Sequence, residues 1–350
     1  MIANSKQLVA AALRGQPTPR VPIGPLAVHF CAGQAGFTLR QYTTDAKVMA
    51  ESVIRYYERF RPDAVWLSAD TWVSAEAMGA RVGATDDNQP FGGMGASLVQ
   101  TAADIYRIPA PDVASDGRYP LMLEALSRIV SALGKEVFIV ACFDQYPFSL
   151  AAALMGINEI MLKLHDDPPL VQALMARCEE YAFAYGQALS QAGADMLSGG
   201  DSPAGLIGPK PYAEFALPAE RRLISRLKSA TSKPVSLHIC GNATCILPLM
   251  ATSGAHVLEL DHAVDIGEAC RAVGPEIALW GNLDPVRVLS QGTPEQVRSK
   301  SRQVIAAVSA AGHRRFVLSS GCTLAMETPA ENIDAFLAAG WHTSTHREES

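Results

Sequence analysis

Short apolar segments alternate with amphipathic stretches along almost the whole of this 350-residue sequence. Strand–helix alternation favours parallel strands joined by right-handed crossovers. The segments with the length and composition of buried strands are residues 20–30, 64–70, 137–143, 195–203, 235–240, 256–261, 276–282 and 315–322. Most are separated by stretches with a helical period, such as 45–61 and 294–311. Eight such units predict an α/β fold, a (β/α)8 TIM barrel.

An open, doubly wound parallel sheet is the alternative fold. Such sheets usually carry a glycine-rich phosphate loop after the first strand, and this sequence has none there, which favours the barrel. We expect residues 1–340 to form one barrel domain. Residues 71–111 are rich in glycine and polar side chains and lack a helical period, so they predict an insertion after the second strand. Residues 341–350 predict a polar C-terminal tail.

The composition limits the class of protein. It is 49% hydrophobic and 18% charged, as in compact globular proteins. A net charge of −6 and a pI near 5.8 do not indicate binding to nucleic acid or to an anionic membrane. The sequence shows no leader and no apolar run long enough to cross a membrane, so we expect a cytoplasmic protein. The seven cysteines are scattered, which favours free thiols and metal ligands over disulfides.

Polar side chains collect where the predicted strands end. In a barrel these carboxyl ends surround one mouth, where functional residues lie. The residues at these positions are His29, Cys31, Asp70, Asp144, Asp201, His238, Cys240, Asn242, Glu259, Asp261, Asn282, Asp284 and Cys322. Such a ring of ligand-type residues predicts a catalytic site at the mouth.

Three of these residues predict a metal site. His238 and Cys240 are two positions apart in a predicted strand, so their side chains share one face. Cys322 ends another strand and can reach the same mouth. One imidazole and two thiols, with a fourth position open, are typical of catalytic zinc. Glu259, Asp261 and, less favourably, Cys245 are candidate fourth ligands; the alternative is a buried core histidine with packing cysteines.

The remaining strand-end residues are assigned by chemistry. Carboxylates can exchange protons or contact a substrate, although an aspartate at a strand end also caps turns. The candidate catalytic residues are Asp201, Glu259 and Asp261. The candidate substrate-binding residues are His29, Asp70, Asn242 and Asn282, of which Asp70 and Asn282 can equally cap loops.

The motif His238-Ile-Cys240-Gly-Asn242, with Gly321-Cys322 and the segment 327–332, resembles the uroporphyrinogen decarboxylase superfamily. It is most similar to the zinc-dependent, corrinoid-linked methyltransferase branch of that superfamily. The resemblance extends from about residue 6 to residue 339. The porphyrinogen-decarboxylating branch uses an N-terminal arginine-rich motif. The equivalent segment here, residues 30–37, has no arginine, and Arg40 is the first to follow.

This resemblance implies a TIM barrel that binds Zn²⁺ through His238, Cys240 and Cys322. It also implies a partner protein that carries a corrinoid (methylcobalamin), because no corrinoid-binding motif of the form Asp-x-His-x-x-Gly occurs in the sequence. The small-molecule partner would be a methyl donor, such as a methyl ether, or a thiol acceptor. The alternatives are a corrinoid-independent zinc alkyltransferase acting on a thiol and a zinc-free, decarboxylase-like member. Whether the chain forms a homodimer stays open.

Overall fold

Seven parallel strands form a curled sheet in a computed structural model that describes residues 2–92 and 97–340. Their order in the sheet follows their order in the chain, which is the arrangement of a TIM-barrel-like α/β fold. The strands are β1 (Ala64–Leu67), β2 (Phe138–Gln145), β3 (Met196–Gly200), β4 (Ser236–Ile239), β5 (Val257–Leu260), β6 (Ala278–Leu283) and β7 (Phe316–Ser320).

The ring is closed between β7 and β1 by a single bridging residue, Ile23. The N–H of Leu318 donates to Pro22 O at 2.9 Å, and the N–H of Asp63 donates to Ile23 O at 2.9 Å. The predicted strand over residues 20–30 is therefore wrong. Pro22 and Pro25 have no backbone N–H, so a longer ladder cannot form on either side of Ile23.

Helices cover the outside of the ring and link its strands. They are α1 (Ser5–Leu13), α2 (Val28–Ala35), α3 (Leu39–Thr44), α4 (Ala46–Phe60), α5 (Val73–Ala77), α6 (Ala102–Arg107), α7 (Tyr119–Leu133), α8 (Pro147–Met155), α9 (Ile157–Asp166), α10 (Pro168–Gln191), α11 (Pro209–Pro211), α12 (Leu217–Thr231), α13 (Leu247–Met250), α14 (Ile266–Val273), α15 (Pro294–Ala310) and α16 (Ala330–Ala338). A 3₁₀ turn spans Ser202–Leu206, and π-helical turns span Tyr212–Ala216 and Pro285–Ser290. Because α2 begins at Val28, His29 lies in a helix and not at a strand end.

The interior of the ring is filled by large side chains. Trp66 on β1 and Trp280 on β6 pack edge to face with centroids 5.8 Å apart, although these two strands do not pair. The indole N–H of Trp280 donates at 2.9 Å to the O of Gly24, in the closing segment (residues 22–24). A side chain of β6 thus holds the closing segment in place, and the site lies above this packed interior.

The predicted insertion stays a prediction. Its described residues contain α5, a bridge between Gly83 and Phe91, and α6. Residues 93–96 and the predicted tail, 341–350, lie outside the described residues. Within the described ranges, no single helix is long and apolar enough to cross a membrane, and α8 with α9 passes that test only as a pair bent by 108°.

Candidate metal centre and adjoining cavity

The strand β4 presents His238 at the mouth of the ring. The imidazole is buried, with 9% of its surface exposed, and its Nδ1 lies 3.0 Å from the backbone carbonyl oxygen of Glu259. That carbonyl accepts a hydrogen bond only if Nδ1 carries the proton. The other ring nitrogen, Nε2, then faces Cys240, whose Sγ is 2.9 Å away, and it can offer a lone pair to a metal ion that replaces its proton.

Cys240 follows β4 directly, and its N–H donates to the hydroxyl oxygen of Ser202 at 3.4 Å. Cys322 arrives from the end of β7, where Gly321 lets two loops approach closely. A Cβ on Gly321 would lie only 2.4 Å from the backbone nitrogen of His262. The sulfur atoms of Cys240 and Cys322 are 3.9 Å apart, and both thiols are free.

The three side chains form a set of donors that fits a tetrahedral metal ion. The ligand atoms of His238, Cys240 and Cys322 all lie within 4.8 Å of one another. Tetrahedral zinc with Zn–S bonds of about 2.3 Å places two sulfurs roughly 3.8 Å apart, close to the spacing seen here. The set does not include Glu259, Asp261 or Cys245, the predicted candidates for a fourth ligand.

Protons are strongly coupled within this cluster. The hydrogen bond with Cys322 lowers the pKa of Cys240, and the same hydrogen bond, together with burial, raises the pKa of Cys322 to about 12. Burial alone would lower the pKa of His238, but the neighbouring thiol and the charge of Glu259 raise it to about 9. The cluster therefore combines a thiol that loses its proton easily with an imidazole and a thiol that keep theirs. A divalent cation can take the place of these protons.

The carboxylate of Glu259 lies on β5, below the cluster. It accepts hydrogen bonds from the hydroxyls of Ser198, at 2.8 Å, and Ser236. Burial raises its pKa. Asp261 is also buried and accepts from the N–H of Ala263 at 2.9 Å. Their predicted catalytic roles stay predictions.

Asp201, directly after β3, is hydrogen-bonded to the first turn of α8. Its Oδ1 accepts from the N–H and the hydroxyl of Ser149, at 2.8 and 2.7 Å. Burial raises the pKa of Asp201 to about 6, and burial together with the charge of Asp201 raises that of Glu220 well above its ordinary value. Asp201 thus fixes the turn that leads to Ser202, and its predicted catalytic role stays a prediction.

The predicted substrate-binding residues make contacts within the protein. His29 Nε2 lies 2.8 Å from Ala69 O, and burial lowers its pKa. Asp70 forms an ion pair with Arg118 at 2.5 Å. The amide of Asn282 donates to the carbonyls of two loop residues, Asp261 at 3.0 Å and Val264 at 2.7 Å. Asn242 is exposed, and its Oδ1 accepts from the N–H of Thr244 at 3.2 Å.

A cavity of about 650 Å³ adjoins the cluster and ends at Cys240. None of the four predicted substrate-binding residues lines it. Its lining residues come from β2 and β3 and from the segments that follow β1, β2, β3 and β4: Thr71, Trp72, Asp144, Gln145, Ser149, Ala152, Ala153, Gly156, Ile157, Gly200, Ser202, Pro203, Leu206, Cys240 and Gly241. The cavity is therefore a better indication of the substrate site than the four predicted substrate-binding residues.

Asp144 is a further candidate for a functional residue. The sequence places it at the end of a predicted strand but predicts no role for it. It sits in the cavity wall with a φ of +77°, a conformation in which aspartate is several-fold enriched among non-glycine residues. Its Oδ2 accepts from the N–H of Ser74 at 2.8 Å. Burial raises its pKa to about 7, and the nearby charge of Asp70 adds to this effect. Asp144 can therefore gain or lose a proton near neutral pH.

The sequence matches the uroporphyrinogen decarboxylase (URO-D) family over residues 4–340. It is 31% identical to methylcobamide:CoM methyltransferase MtbA of Methanosarcina acetivorans, over 94% of this chain and 95% of that protein. It is 26% identical to methylated-thiol–coenzyme M methyltransferase of Methanosarcina mazei, over 84% and 77% of the two chains. The structure is similar to that of a methyltransferase from Methanosarcina mazei, with a TM-score of 0.86, 25% identity and coverage of 96% and 98%.

Proposed function

The chain belongs to the uroporphyrinogen decarboxylase family, and we propose that it is a zinc-dependent methyltransferase. It moves a methyl group between a small substrate and the corrinoid of a partner protein. The observation that carries this proposal is the convergence of His238, Cys240 and Cys322, whose ligand atoms lie within 4.8 Å of one another. The names of two relatives that are matched over almost their whole length support methyl transfer involving a corrinoid.

His238, Cys240 and Cys322 would hold the metal ion. When bound, zinc supplies a positive charge that stabilises a thiolate or polarises the heteroatom that carries the methyl group. The protein's own residues fix the geometry. The carbonyl of Glu259 orients the imidazole at 3.0 Å, and Ser202 accepts from the N–H of Cys240 at 3.4 Å. Loss of such supporting bonds typically lowers metal affinity or activity by roughly 10–100-fold.

The cavity beside Cys240 would hold the small substrate. It removes the substrate from water and orients it next to the metal ligands, which is the main contribution that a binding pocket makes to a group transfer. Asp144, in the cavity wall, can exchange a proton near neutral pH, so it would hold or receive the proton of the substrate's heteroatom. The corrinoid would approach through the open side of the cavity.

Metal analysis of the purified protein and of single variants tests the zinc site. We expect about one zinc ion per chain in the wild type and substantial loss in His238→Ala, Cys240→Ser and Cys322→Ser. Cys245→Ser is the matched control, because Cys245 is exposed and outside the cluster. Zinc retained in all three ligand variants, or full activity without zinc, contradicts the proposal.

Methyl transfer is tested with free cobalamin in place of the partner protein. Absorption spectra would follow methylcobalamin consumed by a panel of thiols and formed from reduced cobalamin with a panel of methoxyarenes. Turnover with either panel supports the corrinoid-linked reaction. Alkylation of a thiol without any cobalamin would indicate the corrinoid-independent alkyltransferase. A zinc-free protein without either activity would indicate the decarboxylase-like alternative.

A further inference from the structure

The walls of the cavity that ends at Cys240 are mostly apolar. Its apolar lining residues include Trp72, Ala152, Ala153, Ile157, Pro203 and Leu206. None of the described residues that line the cavity is a lysine, an arginine or a histidine, and Asp144 is the acidic one. A ligand in this cavity therefore meets apolar groups and a carboxyl group, with no cationic side chain to neutralise it.

Arg118 is the basic side chain that acts electrostatically on Asp144, and two other carboxylates neutralise its charge. The guanidinium of Arg118 forms ion pairs with Asp70, at 2.5 Å, and with Glu76. It is 11% exposed, and burial and these two carboxylates hold it in place, so it is not free to turn toward a ligand. A sulfonate in the cavity would lose its water and gain no compensating positive charge.

We propose that this cavity binds uncharged, largely apolar methyl donors or acceptors, such as methoxyarenes or neutral thiols. It excludes anionic ones, such as thiols that carry a sulfonate group. Asp144 is the specificity-determining residue, because its carboxylate repels a second negative charge inside an apolar cavity. This inference rests on the proposed methyl transfer, and it distinguishes the chain from relatives that are named for coenzyme M, a thiol with a sulfonate group.

The size and shape of the cavity agree with such a ligand. Its volume of about 650 Å³ accommodates a substituted aromatic ring. Binding becomes more favourable as the ring buries more apolar surface against the wall. An uncharged ligand keeps this gain, whereas an anionic ligand loses it to desolvation of its charge and to repulsion by Asp144.

Calorimetric titration of the zinc-loaded, full-length protein at about pH 8 tests the inference with two pairs of compounds, and in each pair one compound is uncharged and the other is a sulfonate anion. The first is mercaptoethanol against mercaptoethanesulfonate (coenzyme M). The second is methoxybenzyl alcohol against methoxybenzenesulfonate. We expect the uncharged member of each pair to bind at least about tenfold more tightly. Equal or tighter binding of the sulfonates overturns the inference, and so does failure of all four compounds to bind.

Three variants assign the effect to the cavity. Asp144→Asn should reduce the preference for uncharged ligands at least about threefold by tightening sulfonate binding. Ala153→Arg, which places a cation in the wall, should tighten sulfonate binding about tenfold. Asp166→Asn removes an exposed aspartate outside the cavity and should change neither value. An unchanged preference in Asp144→Asn excludes Asp144 as the specificity residue.

The same preparations separate this inference from the proposed function. Zinc content and methyl transfer with free cobalamin are measured on each one. A preference for sulfonates in a protein that holds zinc and transfers methyl groups overturns this inference alone. Absence of both zinc and transfer in the wild-type protein overturns the proposed function, whatever the ligand preference.

Discussion

Asn282 and Asp144 show that polar side chains at the ends of strands can have different roles. Asn282 uses both protons of its amide to hold the loop after β5, through the carbonyls of Asp261 and Val264. Asp144 has its charge set by burial, and its pKa is raised to about 7. The first residue stabilises the mouth, and the second gives the mouth a group that titrates.

Replacing Asp144 by asparagine should stabilise the protein in mild base. Its folded-state pKa of about 7 lies above the ordinary value of 3.8, so folding favours the neutral form. This contribution is complete in acid, below the unfolded pKa, and is lost as pH rises through 7. At about pH 8, urea denaturation should show a free energy of unfolding higher by on the order of 2 kcal/mol in Asp144→Asn.

The difference should shrink steadily when the same titrations are repeated toward about pH 5. Asp166→Asn, at an exposed position, is the control and should show no such trend. A destabilised Asp144→Asn protein at about pH 8 would mean that the carboxylate is stabilised by its surroundings, contrary to the burial described above.

Asn282→Ala should destabilise the protein by about 1–3 kcal/mol, because it leaves two buried carbonyls without their donor. Thermal and urea denaturation measure this loss. Asn242→Ala is the matched control, because Asn242 is exposed and its side chain accepts one local hydrogen bond. Equal stability of the two variants would show that the amide of Asn282 is free to bind a substrate, as first predicted.

At the scale of elements, the closing segment is joined to β7 by a single bridging residue and packs closely against Trp280. Gly24 donates its N–H to Leu318 O at 3.0 Å and accepts from the indole of Trp280. A Cβ at position 24 would lie 2.7 Å from a ring carbon of Trp280 and 2.9 Å from the Cβ of Ala64. Packing here leaves no room for a methyl group.

Gly24→Ala should therefore lower the free energy of unfolding by about 1–3 kcal/mol through overpacking. Gly267→Ala, in α14, is the matched control: the nearest atom to its added Cβ is a side-chain oxygen of Asp265, at 3.3 Å, and alanine favours a helix. Urea denaturation of both variants measures the difference. A Gly24→Ala protein as stable as the control would show that the closing segment yields easily.

The sequence could predict most elements but not the closing segment. Strands β1 to β7 were predicted because apolar runs bounded by polar residues bury easily in a parallel sheet. Residues 20–30 have the same composition, but their prolines limit pairing to Ile23. His238 and Cys240 were placed on one face by alternation. The contacts of Asp70 and Asp201 depend on Arg118 and Ser149, which spacing along the chain does not bring to notice.

At the scale of the whole molecule, the proposed metal site connects distant parts of the ring. His238 and Cys240 belong to β4 and the turn after it, while Cys322 follows β7. The strands β4 and β7 are not neighbours in the sheet. A metal ion bound by all three would act as a cross-link in the native state that the unfolded chain lacks.

Removal of the metal ion should therefore lower the melting temperature by several degrees. Binding to the native state alone stabilises it by about 4 kcal/mol when the free ligand is at roughly a thousand times its Kd. Calorimetric scans of zinc-loaded and chelator-treated protein measure the difference. His238→Ala should melt at one temperature with or without zinc, and the same zinc-dependent shift in that variant would place the ion elsewhere.

The closing bridge also has a consequence for how the chain is made. The hydrogen bond from the N–H of Leu26 to the hydroxyl of Ser320 joins residues 294 positions apart, so the ribosome must synthesise the chain as far as β7 before the ring can close. Until then the growing sheet has two unpaired edges, which are templates for pairing with other chains. Cys322 lies two residues after the last residue of β7. Closure of the barrel and completion of the metal-binding cluster thus both wait for the synthesis of the same short segment.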